Sequence, residues 1–119
     1  MELGPFSMSI NVKDIEESLA FYEALGLDLV DGGHASEEYP DGDGIRWRVM
    51  QQGDTIIGLF EGMFDHNTMT FHPPDVRAVQ KVLKERGVEF VAEADEDTDG
   101  PAFALLKDPD GNPVLLDQA

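Results

Sequence analysis

No cysteine occurs among the 119 residues. That excludes disulfide staples, thiol nucleophiles and thiolate metal sites, and it leaves the redox setting open. Basic residues are scarce: eight lysines and arginines stand against 25 aspartates and glutamates, for a formal net charge of −17. A surface of that sign repels nucleic acid and anionic membranes, so neither is expected as a partner. No stretch comes near the roughly 20 apolar residues needed to span a bilayer. The opening MELGPFSMSI shows no basic leader ahead of a long apolar run, and a cytoplasmic protein is the expectation. The acidic excess reads first as a solvated coat and second as an attraction for cationic ligands. Runs such as EADED (93–97) fall in predicted loops, where charge serves solvation.

What is present is enough for one small globular domain. Hydrophobic residues make up 41% and charged residues 28%, which is neither disordered nor membrane-like, and the length leaves no room for a second independent core. One domain over 1–119 is therefore expected.

Within it a pattern occurs twice. DIEESLAFYEALGLDLV (14–30) lies over DVRAVQKVLKERGVEFV (75–91), matching Asp14 to Asp75 and Gly26 to Gly87. Each copy starts on an Asp suited to cap a helix, carries apolar residues at helical spacing, stops at a Gly, and re-enters as a β-rich run. Strands precede both copies, FSMSINV (6–12) and NTMTFH (67–72). Hairpin-like pairs follow them, IRWRVM and TIIGLFE in the first, FALL and PVLLDQ in the second. The repeat unit is βαβββ, with module one over about 5–61 and module two over about 66–118. The polar stretch GGHASEEYPDGDG (32–44) is a long loop able to cover a cavity, and EGMFDHN (61–67) is the linker.

Two βαβββ modules, an AFYEALG helix and a DPDGN turn into a final strand together resemble the vicinal oxygen chelate superfamily, which includes glyoxalases, extradiol dioxygenases and bleomycin resistance proteins. The likeness covers nearly the whole chain. It implies an α+β fold in which the two modules form a curved, cup-like mixed sheet with helices on its outer face, and it implies a homodimer. Enzymes of this group carry up to four metal ligands, His and Glu, on the first and fourth strands of each module. Counting from the capping Asp and from Asn112 places three of those positions at Ser7, Thr68 and Leu115, and matching IIGLFE to PVLLDQ places the fourth at Gly58. None is a His, Asp or Glu, and hydroxyls and aliphatics do not replace imidazole and carboxylate with useful affinity. Neither a metal nor another cofactor is expected.

Strand alternation then sorts residues onto two faces. If Ser7 faces the cup, so do Ser9 and Asn11, with Thr68, Thr70 and His72 in the second module. On the fourth strands Ile56, Gly58, Phe60, Leu115 and Asp117 join them. Phe6, Met8, Ile10, Val12, Ile57, Leu59, Met69, Phe71, Val114 and Leu116 take the helix side. On IRWRVM either Arg46 and Arg48 or Trp47 faces the cup; Arg48 is a candidate reader of a ligand carboxylate or phosphate, and Trp47 a candidate stacking surface.

The expected function is metal-independent binding of a small molecule. The alternatives are a lyase, isomerase or dioxygenase with a non-standard metal site such as Glu61, His66 and His72, or metal-free acid/base chemistry with His72 as base and Thr70 or Asp117 orienting it. His66 and His72 lie about 20 Å apart along an extended strand at roughly 3.3 Å per residue, which works against a shared ion. No phosphate-cradling glycine loop or nucleic-acid motif is present.

Overall fold

The two capping aspartates work as the sequence predicts. In the computed structural model, which describes residues 1–119, helix α1 (Ile15–Ala24) begins at Asp14, whose carboxylate accepts from the Glu16 and Glu17 amides. Glu16 and Glu17 add negative charge at the positive end of the helix dipole. Helix α2 (Val76–Glu85) begins at Asp75, which accepts from the Ala78 amide at 3.0 Å. Both end where glycine supplies a left-handed residue, Gly26 at φ 97° and Gly87 at φ 84°.

A second device ties each helix start to its sheet. The Ile15 amide donates to Glu61 Oε1 at 3.0 Å, and the Val76 amide donates to Gln118 Oε1 at 2.9 Å. Glu61 and Gln118 close the last strands of their modules, so each helix is capped twice.

Seven strands complete an α+β chain: β1 (Phe6–Asn11), β2 (Asp28–Gly32), β3 (Arg46–Gln52), β4 (Thr55–Glu61), β5 (Thr68–Phe71), β6 (Ala102–Lys107) and β7 (Pro113–Gln118). In module one the strand order is β2-β3-β4-β1, with β1 and β4 parallel and the other pairs antiparallel. In module two it is β5-β7-β6, with β5 and β7 parallel and β6 antiparallel to β7. The chain divides into two compact units, 7–67 and 68–119, and residues 1–6 belong with the second. Local contacts hold residues 1–6 there: the His72 amide donates to the Pro5 carbonyl, the Phe6 ring lies tilted against Phe71 at 5.2 Å, and Leu3 packs on the second core.

Each module has its own core. Ile15, Leu27, Met50 and Leu59 form the first, with Ile10, Val12 and Ile57 packed on it. Val76, Val79, Ala104 and Leu116 form the second, with Phe71 and Leu106. Ile10, Val12, Ile57, Leu59, Phe71 and Leu116 among them are helix-side residues of the alternation, and each large apolar side chain removed from water stabilises by about 1.5–3 kcal/mol.

The second strand of module two is the main difference from the predicted repeat. VEFV does not join the sheet as a strand; a single bridge between Ala92 and Leu105 remains. Past that bridge Gln80 takes the backbone. This fully buried side chain donates to the Ala94 carbonyl at 3.0 Å and accepts from the Ala94 amide at 2.7 Å. The backbone groups that would extend a ladder past Ala92 are thereby spent on the helix. No helix in the structure is long and apolar enough to cross a membrane.

Candidate functional site

The sheet register fixes which side chains share a face. In module one, Ile10, Leu59 and Arg48 stand in one row, and Met8, Ile57 and Met50 in another, on the side that carries α1. On the distal face, turned away from the helix, Ser9, Gly58 and Val49 make one row and Asn11, Phe60 and Trp47 the next. Ser7 and Ile56 belong to the same distal alternation. The question of β3 is thus settled: Trp47 is distal, and both arginines are on the helix side.

Arg48 is therefore not placed with the other predicted site residues. Its side chain is 8% exposed, and its guanidinium grips the Asp41 carboxylate through two nitrogens, at 3.0 and 2.9 Å, while also donating to the Trp47 carbonyl at 2.7 Å. The hydrogen bond from Arg48 holds the Asp41 carboxyl below its ordinary range. Gly32, across the ladder from Arg48, leaves the necessary room, since a Cβ there would come within 2.9 Å of Arg48 Cδ. Arg46 is likewise occupied, bonded to Glu16 of α1 with Asp41 at 3.8 Å. Asp41 thus pins the long loop, and the Trp47 indole N–H fastens it again by donating to the Tyr39 carbonyl at 2.7 Å.

In module two the same logic puts Phe71, Leu116 and Ala104 on the helix side and Thr70, Leu115 and Leu105 on the distal face. One step further along, His72 Nδ1 lies 4.0 Å from Asp117 Oδ2, and Asp117 faces Phe103 across the β6–β7 ladder. His72, just past the end of β5, Asp117 on β7 and Phe103 on β6 form a distal row. Phe103 is 59% exposed. The sequence reading missed it, although the alternation that buries Ala104 already sends Phe103 to the distal face.

Ser7, Ser9, Thr68 and Thr70 are all buried, and Asn11 is exposed. The four positions at which this fold holds a metal do not fit one here. Their side chains offer two hydroxyls, one hydrogen and one isobutyl group, a donor set unsuited to a divalent transition metal. At Gly58 there is also no space: a Cβ would sit 2.6 Å from the Phe60 ring, which Phe64 holds edge-on at 4.9 Å. No three His, Asp or Glu side chains gather elsewhere into a metal-holding group. Glu61 is engaged instead by the Ile15 amide.

A hollow of about 390 Å³ lies beside the start of α2, against Arg77, Lys81, Glu96, Thr98 and Gln118. Its main polar group serves the fold: Arg77 donates to the Asp95 and Gly100 carbonyls and to the Thr98 hydroxyl. This ties the acidic segment after Ala92 to the helix.

Comparison with known proteins agrees with this geometry. The family described as the Glyoxalase/Bleomycin resistance protein/Dioxygenase superfamily matches residues 4–116, and the chain belongs to it. A hypothetical protein from Bacillus halodurans superposes with a TM-score of 0.72 at 18% identity, over 99% of this chain and 94% of that one. Methylmalonyl-CoA epimerase from Streptomyces coelicolor gives 0.68 at 17% identity, over 99% of both chains. A member of the same superfamily from Vibrio splendidus gives 0.64 at 14% identity, over 96% and 97%. At these identities the likeness carries the fold alone. No curated protein matches the sequence.

Proposed function

We propose that the protein binds a small organic molecule on the distal faces of its sheets and does so without a transition metal. The observation that carries the reading is the chemistry at Ser7, Gly58, Thr68 and Leu115, with the Phe60 ring lying where a side chain at Gly58 would project. Around these positions the distal faces pair apolar and aromatic surface (Ile56, Phe60, Trp47, Leu115, Phe103) with a few polar groups, including Ser9, Asn11, Thr70, His72 and Asp117. That is the usual furnishing of a small-molecule site. A homodimer belongs to the same reading, because β2 pairs with β3 along one side and leaves its other edge open.

Native mass spectrometry of the purified protein, with thermal melting, tests all of this. A mass of twice 13.1 kDa, no retained divalent metal, and a melting temperature raised by organic ligands but not by zinc, nickel, manganese or iron are the expected results. Stoichiometric uptake of any of these metals would sink the reading.

A second reading has one observation in its favour. His72 and Asp117 stand 4.0 Å apart on the distal face, the separation of a base and an orienting carboxylate that closes on binding. Proton exchange at a carbon acid, lost in His72→Asn and weakened in Asp117→Asn, would establish it.

A further inference from the structure

The distribution of charge over the two faces is uneven. Of the eight lysines and arginines, Arg46 and Arg48 are on the helix side of β3, and Lys13 sits in the turn before α1. Arg77, Lys81, Lys84 and Arg86 lie on α2 or at its end. Only Lys107 falls on a distal face, four residues along β6 from Phe103, or roughly 13 Å. The two arginines able to clamp a carboxylate or phosphate are already paired with Asp41 and Glu16. An anionic ligand would meet neither a guanidinium on these faces nor an attractive field from a chain of net charge −17.

The distal row of module two offers the opposite chemistry. The Asp117 side chain is 49% exposed, its ion-pair partner is the His72 imidazole at 4.0 Å, and no lysine or arginine joins them. Beside it stands the exposed Phe103 ring, with Cβ atoms roughly 5 Å apart for directly opposed residues. A carboxylate next to an open aromatic face attracts a cation twice, by charge and by the ring quadrupole. We propose that Asp117 and Phe103, with His72, form a subsite for the positively charged group of an organic cation, an ammonium carried on an apolar body. This names the ligand class for the binding function proposed above and rests on it.

The test is an amide-resolved NMR titration of the whole protein with benzyltrimethylammonium chloride, benzyl alcohol and sodium benzoate. The ammonium should shift the amides of His72, Phe103 and Asp117 and bind at least about tenfold more tightly than the alcohol, as charge and cation–π terms together require. Benzoate should leave these amides in place. Asp117→Asn should reduce ammonium binding to the level of the alcohol, Phe103→Leu should weaken it several-fold, and Phe21→Leu, on the exposed side of α1, should change nothing. Raising the salt concentration should weaken the ammonium alone in the unaltered protein, so the outcome does not depend on any variant folding. Equal affinity for ammonium and alcohol, or an unchanged constant in Asp117→Asn, overturns the subsite while leaving small-molecule binding intact. If none of the three compounds shifts any distal-face amide, the binding function falls with it.

Discussion

The two modules share a backbone plan and differ in where each spends a buried polar side chain. Module one places Arg48 opposite Leu59 on its helix side, where module two has Ala104 opposite Leu116. Module two places Gln80 on α2, at the position where α1 carries Leu19 by the alignment of Asp14 with Asp75. In both cases the polar group reaches out of the core to hold the module's long irregular segment, Arg48 through Asp41 and Gln80 through Ala94. The lesson is that caps and turns recur because any helix of this length and entry needs them. The anchors diverge because each segment offers a different group to hold, a carboxylate in one and a peptide unit in the other.

Breaking the module-one anchor should have the largest effect. Arg48→Ala leaves Asp41 half-buried without its partner, and the expected loss is about 3 kcal/mol in denaturant unfolding. The double variant with Asp41→Ala should cost clearly less than the sum of the singles, since both remove one interaction. A loss below about 1 kcal/mol for Arg48→Ala would mean that the loop is held by other contacts and that the parallel with Gln80 is wrong.

The module-two anchor comes next. Gln80→Leu keeps the volume but strands the amide and carbonyl of Ala94, for an expected loss of about 2 kcal/mol. Hydrogen exchange should accelerate from Ala92 to Gly100 and stay unchanged in β1 and β4. If exchange rises throughout the chain instead, Gln80 supports the whole fold and not one segment.

Much of this was readable in advance, for reasons that are local. Asp14, Asp75, Gly26 and Gly87 announce helix ends because capping and positive φ each have few chemical solutions. The two-faced alternation of β1, β4, β5 and β7 follows from a period of two and held at Ile10, Leu59, Phe71 and Leu116. The lost strand after α2 was not readable, because VEFV has strand chemistry and nothing in it marks that only Ala92 bridges to β6. The phase of β3 was equally hidden: Arg46, Arg48 and Met50 alternate with Trp47 and Val49, and either phase satisfies the pattern. The pairing of Arg48 with a loop aspartate decides it, and no local signal marks that contact.

A third test concerns the equivalent positions Gly58 and Leu115. Gly58→Ala must displace the Phe60 ring, 2.6 Å from the new Cβ, and overpacking of this kind costs about 1–2 kcal/mol where the neighbour can yield. Combining it with Phe60→Leu should recover most of the loss. Leu115→Ala removes apolar contact without any clash, so no change at position 117 should rescue it. If Phe60→Leu fails to rescue Gly58→Ala, the ring is not what fills that position.

The smallest effect separates the two modules by pH. Asp41 in module one and Asp108 in module two both have carboxyl groups held below the ordinary 3.8. For Asp41 the leading cause is the hydrogen bond from Arg48; for Asp108 it is the hydrogen bond from the Asn112 side chain at 2.8 Å, followed by the Asn112 and Asp110 amides. A lowered value in the folded state means that the stabilisation is complete above the unfolded value and disappears as pH falls through the lower, folded one. The difference in urea midpoint between the native protein and Asp108→Asn should therefore be constant from neutral pH to about 5 and shrink as pH drops to about 3. Asp41→Asn should show the same shrinkage with a larger starting difference, because its partner is buried, whereas the DPDGN turn is exposed and screened by water. A gap for Asp108→Asn that does not change between those two pH values would show that the turn is held by its backbone geometry, with no contribution from the charge on Asp108.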